Sequence, residues 1–161
     1  MEKELPKRKP TRLKEFDYRT NGAYFVTICT KDKQKLLGSV SVGEGLCALP
    51  KVALSAIGKE VEKSIGFLGR QDPDITVDHY VVMPNHIHLL ICIQSQGDYG
   101  KSSVSKLIGQ LKSYTTHVYG KELWQRSFHD HIVRNERSYW ALWNYIENNP
   151  AKWSEDCFYL P

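Results

Sequence analysis

The sequence has no apolar run approaching the roughly 18 residues that a membrane-spanning helix needs. Its N-terminus is charged where a secretory signal would be apolar, so we expect a cytoplasmic protein with no membrane partner. The four cysteines are widely separated and form no C-x-x-C pair, which argues against a disulfide framework. Internal repeats and low-complexity segments are also absent. The 161 residues are therefore expected to form one globular domain with its own core.

Positive charge is concentrated at the N-terminus. Residues 1–14 contain six basic and two acidic side chains, whereas basic and acidic residues balance over the rest of the chain. A basic segment on a neutral body can attract a polyanion, so we expect residues 1–16 to form a flexible basic arm and residues 17–161 to form a single domain. A solvated, frayed terminus is the simpler interpretation. The arm side chains proposed to contact a nucleic acid are Lys7, Arg8, Lys9 and Arg12.

The spacing of apolar residues predicts the order β-α-β-β-α-β, followed by one more helix. Strands are predicted at 24–30, 75–83, 86–93 and 128–133, and helices at 51–68, 104–119 and 135–148. A short hairpin is expected within 33–50. The order matches an α+β fold with a ferredoxin-like, split β-α-β antiparallel sheet and an added C-terminal helix. The second helix is predicted to bury one face, formed by Val104, Leu107, Ile108, Leu111, Tyr114 and Val118.

Two histidines stand one residue apart at the start of the third predicted strand. His86 and His88 point to the same face because alternate residues of a strand do so, and two imidazoles on one face form half of a metal site. His129 and His131 have the same spacing on the fourth strand. Four histidines from two strands could hold zinc, while an ordinary surface strand is the simpler interpretation of the second pair. The sequence alone leaves open whether the two pairs meet.

The last predicted helix ends with a tyrosine and an asparagine on one face. Tyr145 and Asn149 are four residues apart, so they lie together in the final turn. An aromatic anchor followed by a polar helix end is the simpler interpretation. If the residues instead form a site, we expect them to face one shallow polar cleft together with His86 and His88.

Several motifs together resemble a known family. The run Val81-Val-Met-Pro-Asn-His-Ile-His-Leu-Leu90 resembles the HUH motif of the single-tyrosine transposases of small insertion sequences. The resemblance is completed by Tyr24-Phe-Val-Thr, Trp124-Gln-Arg-Ser-Phe and Asn144-Tyr-Ile-Glu-Asn-Asn-Pro150, and it spans roughly residues 15–152. The last motif is closer to the REP-associated tyrosine transposases, which usually show Tyr-Ile-x-x-Asn-Pro. The sequence departs from mobile-element members at Asn85, where these often have Asp.

The resemblance implies an activity and a set of roles. It implies a DNA transposase that cuts single-stranded or hairpin DNA through a 5′-phosphotyrosine and rejoins the strands. Tyr145 would be the nucleophile, and His86, His88 and the side-chain oxygen of Asn149 would hold Mg2+ or Mn2+. Phosphates would contact basic side chains, for which Lys106, Lys112, Arg126 and Arg134 are the candidates beyond the arm. A homodimer remains open.

Two other functions are compatible with the same residues. The first is a zinc hydrolase that uses both His-x-His pairs. The second is a module that binds hairpin DNA without cutting it. Retention of Tyr145, His86 and His88 argues against the second, since loss of activity commonly begins at catalytic residues.

Overall fold

The computed structural model describes residue 13, residues 15–42, 48–97 and 100, and residues 102–161. Lys7, Arg8, Lys9 and Arg12 of the basic arm lie outside the described residues. The strands are β1 (Gly22–Cys29), β2 (Gly38–Ser41), β3 (Lys51–Leu54), β4 (Ile75–Val82), β5 (His86–Ile93) and β6 (His129–Val133). The helices are α1 (Ala56–Gln71), α2 (Val104–Tyr119) and α3 (Glu136–Asn148), and 3-10 turns occupy Lys31–Lys33 and Pro150–Glu155.

Four strands form one sheet in the order β4-β5-β1-β6, and every neighbouring pair is antiparallel. When these four strands are numbered in chain order, their arrangement in the sheet is that of the ferredoxin-like split β-α-β plan. The predicted fold class is therefore confirmed. Strands β2 and β3 pair separately as a two-stranded ribbon. The β4–β5 connection, Met83-Pro-Asn85, is short, and Met83 N donates to His86 O across it at 2.9 Å.

The first helix begins five residues later than the spacing predicts. Lys51–Leu54 is a strand, because its alternating exposure lets it pair with β2 in a short ribbon. Ser55 then caps α1: its hydroxyl accepts from Gly58 N at 3.1 Å and donates to Leu36 O at 2.7 Å. Gly58 leaves room for the crossing chain, since a Cβ there would overlap the Leu37 carbonyl oxygen. Four residues are too few for period-3.6 and period-2 patterns to be told apart.

The hydrophobic core lies between α1, α2 and one face of the sheet. Alternate β5 residues enter it, and all of them are buried: Ile87, Leu89, Ile91 and Ile93. On α2 the predicted face is wrong at its C-terminal end, because Tyr114 and Val118 are exposed and Thr115 is buried instead. Thr115 can be buried because its hydroxyl donates to Leu111 O at 2.7 Å and accepts from Trp124 Nε1 at 2.8 Å.

Helix α3 crosses the opposite face of the sheet. Asn135 caps it by accepting from Ser138 N at 2.8 Å, and Pro150 begins the following 3-10 turn. Asp78 of β4 ties the helix down, because its Oδ2 accepts from Tyr139 Oη at 2.6 Å and from Cys92 Sγ at 2.9 Å. This is the face onto which His86 and His88 project.

The sequence predicts neither a disulfide framework nor a membrane-spanning helix, and both features can be examined in the described residues. Cys29, Cys92 and Cys157, the cysteines within the described ranges, are all free thiols. None of the described helices combines the length and the apolarity that crossing a bilayer requires.

Candidate active site

The imidazoles of His86 and His88 lie side by side at the start of β5. Their Nε2 atoms are 3.1 Å apart, and the rings are 0% and 1% exposed. The strand period therefore places both rings on one face, as expected. The expectation that these two rings face a shallow polar cleft is wrong, because the helix and the C-terminal residues cover them.

Each imidazole is held through its outer nitrogen. His86 Nδ1 lies 2.8 Å from Asn85 Oδ1, and His88 Nδ1 lies 2.8 Å from the hydroxyl oxygen of Thr27 on β1. Both partners are buried. Because the Nδ1 atoms are occupied in this way, the two Nε2 atoms are left facing each other.

Helix α3 brings Tyr145 and Asn149 to the same place. The Tyr145 ring meets His88 edge-on, with 5.2 Å between the ring centroids, and its hydroxyl lies 3.4 Å from Asp156 Oδ2. Tyr145 remains 41% exposed, whereas Asn149 is 2% exposed. Asn149 Nδ2 donates to the same carboxylate oxygen at 2.9 Å, while its Oδ1 is buried with no hydrogen-bond partner among the described residues.

Asp156 is a member of this site that the sequence does not reveal. Its Oδ2 lies 3.9 Å from His86 Nε2, and within the described ranges one atom each from His86, His88 and Asp156 fall within 4.8 Å of one another. No periodicity or motif marks Asp156, which lies in a polar segment beyond the end of the resembling region. Its place seven residues after Asn149 becomes meaningful only once the 3-10 turn folds the chain back.

These atoms suit a divalent cation. Two donors that each lie about 2.1 Å from a cation, at the right angle of an octahedron, are about 3.0 Å apart, which is close to the observed separation of the Nε2 atoms. Asn149 Oδ1 and the Asp156 carboxylate add the oxygen ligands that Mg2+ and Mn2+ prefer. The donor set therefore fits the cation that the resemblance implies.

Burial sets the protonation of the site. It lowers the pKa of both imidazoles, and the Asp156 carboxylate only partly offsets this for His86. Both rings are therefore neutral at pH 7, the form in which imidazole binds metals. Burial and the nearby Asp156 carboxylate raise the pKa of Tyr145 to about 12, so this phenol is protonated at pH 7.

The C-terminal segment covers the imidazole pair. The Phe158 ring lies 4.7 Å from the His86 ring, and the Trp153 ring lies 5.9 Å from it. The Phe158 carbonyl accepts from Asn85 Nδ2 at 2.8 Å. A ligand therefore has more room to approach from the exposed side of Tyr145 than from the C-terminal side.

The second histidine pair shares the sheet face but not the site. His129 pairs with Thr27, which in turn pairs with His88, so β1 separates the two pairs. His129 and His131 are exposed, and they do not belong to the group of possible metal ligands found in the described part of the chain. The structure thus gives no support to a four-histidine zinc site.

The basic candidates differ in where they lie. Arg126 and Arg134 are exposed and flank β6 in the chain. Lys106 is exposed on α2, beyond the opposite face of the sheet. Lys112 uses its ammonium to donate to Gln125 O at 2.6 Å and to Arg126 O at 3.2 Å, so it fixes the loop before β6.

Sequence comparisons find proteins that are similar to this chain. No family model matches the sequence. An uncharacterized protein of Haemophilus influenzae (strain ATCC 51907 / DSM 11121 / KW20 / Rd) is 30% identical over 176 residues, which cover 95% of this chain and 93% of that protein. A REP-associated tyrosine transposase of Escherichia coli (strain K12) is 32% identical over 84 residues, 52% of this chain and 48% of that one. The chain thus matches about half the length of that transposase.

Solved structures resemble the fold over most of the chain. A REP-associated tyrosine transposase bound to a REP hairpin superimposes with a TM-score of 0.65 at 23% identity, over 88% of this chain and 73% of that one. A transposase candidate from Deinococcus radiodurans has a TM-score of 0.50 at 16% identity, over 85% of this chain and 95% of that one.

The fold is that of the tyrosine transposases, and the resemblance to the REP-associated group is confirmed. The chain belongs to one family with the Haemophilus influenzae protein, and its relatives include transposases.

Proposed function

We propose that the protein is a metal-dependent DNA transposase that cuts and rejoins single-stranded or hairpin DNA, with Tyr145 as the nucleophile. One observation carries the proposal. The Tyr145 hydroxyl and His86 Nε2 lie 3.4 Å and 3.9 Å from the same oxygen of Asp156. A nucleophile thus adjoins a set of cation ligands, which is the arrangement that phosphodiester cleavage by a tyrosine requires.

The cation would be Mg2+ or Mn2+, held by Nε2 of His86 and His88 and by side-chain oxygens of Asn149 and Asp156. When bound, it supplies positive charge that neutralises the oxygens of the scissile phosphate. Asn85 and Thr27 orient the imidazoles for this task. The aromatic rings of Phe158 and Trp153 exclude water from the buried side of the pair.

Tyr145 performs the covalent step. Its phenol oxygen forms a bond to phosphorus while the bond from phosphorus to the 3′ oxygen breaks, which leaves a 5′-phosphotyrosine and a free 3′-OH. The phenol, whose hydrogen-bond acceptor in the structure is Asp156 Oδ2, gives up its proton as it attacks, and the departing 3′ oxygen takes up one proton, so no net proton is released. The 3′-OH of a second strand reverses the step, rejoins the DNA and returns the proton to Tyr145.

The DNA strand would approach over β6. His129 and His131 present exposed rings on the sheet face that carries the site, and exposed Arg126 and Arg134 flank the strand. Such rings can stack on unpaired bases, and arginines can neutralise phosphates. Trp153 and Phe158 obstruct the opposite approach.

The test is a search for a covalent adduct. The full chain is incubated with a library of single-stranded hairpins and Mn2+, and adducts are detected on denaturing gels. Tyr145→Phe should bind hairpins but form no adduct. It removes one long hydrogen bond from a half-exposed ring, so we expect a stability change below about 0.5 kcal/mol.

Tyr114→Phe is the matched control, because Tyr114 is 51% exposed on α2, beyond the other face of the sheet. This variant should form the adduct at the wild-type rate. An adduct with Tyr145→Phe would show that the nucleophile lies elsewhere. Failure of the wild-type chain to form an adduct with any hairpin would contradict the proposed function.

A further inference from the structure

We propose that Asn85 and Thr27 position the two imidazoles in different ways, an inference that rests on the proposed function. Asn85 fixes one tautomer of His86, whereas Thr27 allows His88 to exchange its tautomer. A cation can then take the place of a single proton shared between the two Nε2 atoms. This inference follows from the hydrogen-bond partners of four buried side chains.

The Asn85 amide has only one orientation that satisfies its contacts. Its Nδ2 donates to two carbonyl oxygens, Lys33 O at 3.2 Å and Phe158 O at 2.8 Å. Its Oδ1 therefore faces His86 Nδ1 at 2.8 Å, and an amide oxygen can only accept. The proton of neutral His86 must lie on Nδ1, so His86 Nε2 carries a lone pair.

The tautomer of His88 follows from that of His86. The two Nε2 atoms are at hydrogen-bond distance, 3.1 Å, and a hydrogen bond between them needs one donor. Because His86 Nε2 has no proton, His88 Nε2 is the donor. His88 Nδ1 then has the free lone pair and accepts from the Thr27 hydroxyl at 2.8 Å.

A bound cation requires a lone pair on both Nε2 atoms. His86 already has one and does not change. His88 must lose its Nε2 proton and gain a proton on Nδ1. This change amounts to moving one proton between the two nitrogens of the same ring, by exchange with solvent. The Thr27 hydroxyl rotates from donor to acceptor, which an amide oxygen could not do. No net proton leaves the protein.

The tautomers can be measured directly. Long-range proton–nitrogen NMR on 15N-histidine-labelled full-length protein distinguishes protonated from unprotonated ring nitrogens. Before Mg2+ is added, we expect protons on Nδ1 of His86 and on Nε2 of His88. With Mg2+, the His88 proton should appear on Nδ1, while the His86 signals keep their pattern. A proton on His86 Nε2, or no Mg2+-dependent change at His88, would overturn the inference.

A pair of variants tests the role of the hydroxyl. Thr27→Val keeps the side-chain shape but leaves the buried His88 Nδ1–H unpaired, so Mn2+ affinity measured by calorimetry should fall by at least about tenfold. Thr27→Ser keeps the hydroxyl and should restore most of the affinity. Both variants should keep the His86 tautomer. Equal affinities of the two variants would overturn the role of Thr27.

Calorimetry in two buffers of different ionisation enthalpy supplies the remaining readout. At pH 7.5 the observed enthalpy should not depend on the buffer, because no proton is released. Release of one proton per Mn2+ would contradict the exchange. These measurements use no DNA. The expected tautomers with no hairpin adduct would therefore refute only the proposed function, and an adduct with the wrong tautomers would refute only this inference.

Discussion

The attachment of α3 to the sheet decides where Tyr145 lies, and Asp78 contributes to that attachment through Tyr139. Its Oδ2 accepts from Tyr139 Oη at 2.6 Å and from Cys92 Sγ at 2.9 Å, and its Oδ1 accepts from Thr76 Oγ1 at 2.7 Å. Burial raises the pKa of Asp78, but these three hydrogen bonds together bring it below its ordinary value. The carboxylate is therefore ionised at pH 7.

We expect Asp78→Ala and Asp78→Asn to differ in stability. A hydrogen bond to a charged group contributes about 1.5–3 kcal/mol. The thiol is a weak donor and Thr76 is exposed, so Asp78→Ala should cost about 3 kcal/mol, most of it from Tyr139. Asn can keep an oxygen toward Tyr139 and Cys92 and donate to Thr76, so Asp78→Asn should cost only about 1 kcal/mol. The melting temperature should fall by about 2–4 °C per kcal/mol.

Denaturant unfolding of a double-mutant cycle checks the assignment. Tyr139→Phe alone should cost about 2 kcal/mol, and its cost should nearly vanish in the Asp78→Ala background. Stability also depends on pH with a definite sign. Because the pKa of Asp78 is lowered in the folded protein, its contribution to the free energy of unfolding is complete above the ordinary carboxyl pKa. This contribution is lost as the pH falls through the pKa that Asp78 has in the folded protein. Additive costs in the cycle would refute the reasoning.

Two further predictions concern DNA binding. Deleting residues 1–14 should flatten the slope of log affinity against log salt by about two to four units, because three to six cations would each neutralise one phosphate and each phosphate contributes about 0.7. The rate of adduct formation at saturating DNA should not change. An unchanged slope would show a frayed tail. His129→Ala with His131→Ala should weaken single-strand binding at least roughly fivefold, since one stacked base contributes about 1–3 kcal/mol. His117 is exposed on α2, so His117→Ala should leave single-strand binding unchanged. If His117→Ala weakens binding as much as the double variant does, the proposed path of the DNA over β6 is refuted.

The sequence by itself determined the features that depend on neighbouring residues. Apolar periodicity fixed the order of the sheet strands and of all three helices, and α2 begins and ends at the predicted residues. The strand period of two put His86 and His88 on one face, and the i, i+4 relation put Tyr145 beside Asn149. These relations hold because backbone geometry sets the direction of each side chain within one element.

Only the tertiary structure decided what surrounds those side chains. Asp156 joins the site because the turn at Pro150–Glu155 folds the chain back, and Phe158 covers His86 through a contact 72 residues away in sequence. Strand β3 replaces the start of a helix because β2 offers a partner, and Lys112 turns to a loop rather than outward. Each of these outcomes depends on contacts between distant segments, whose energies no local pattern encodes.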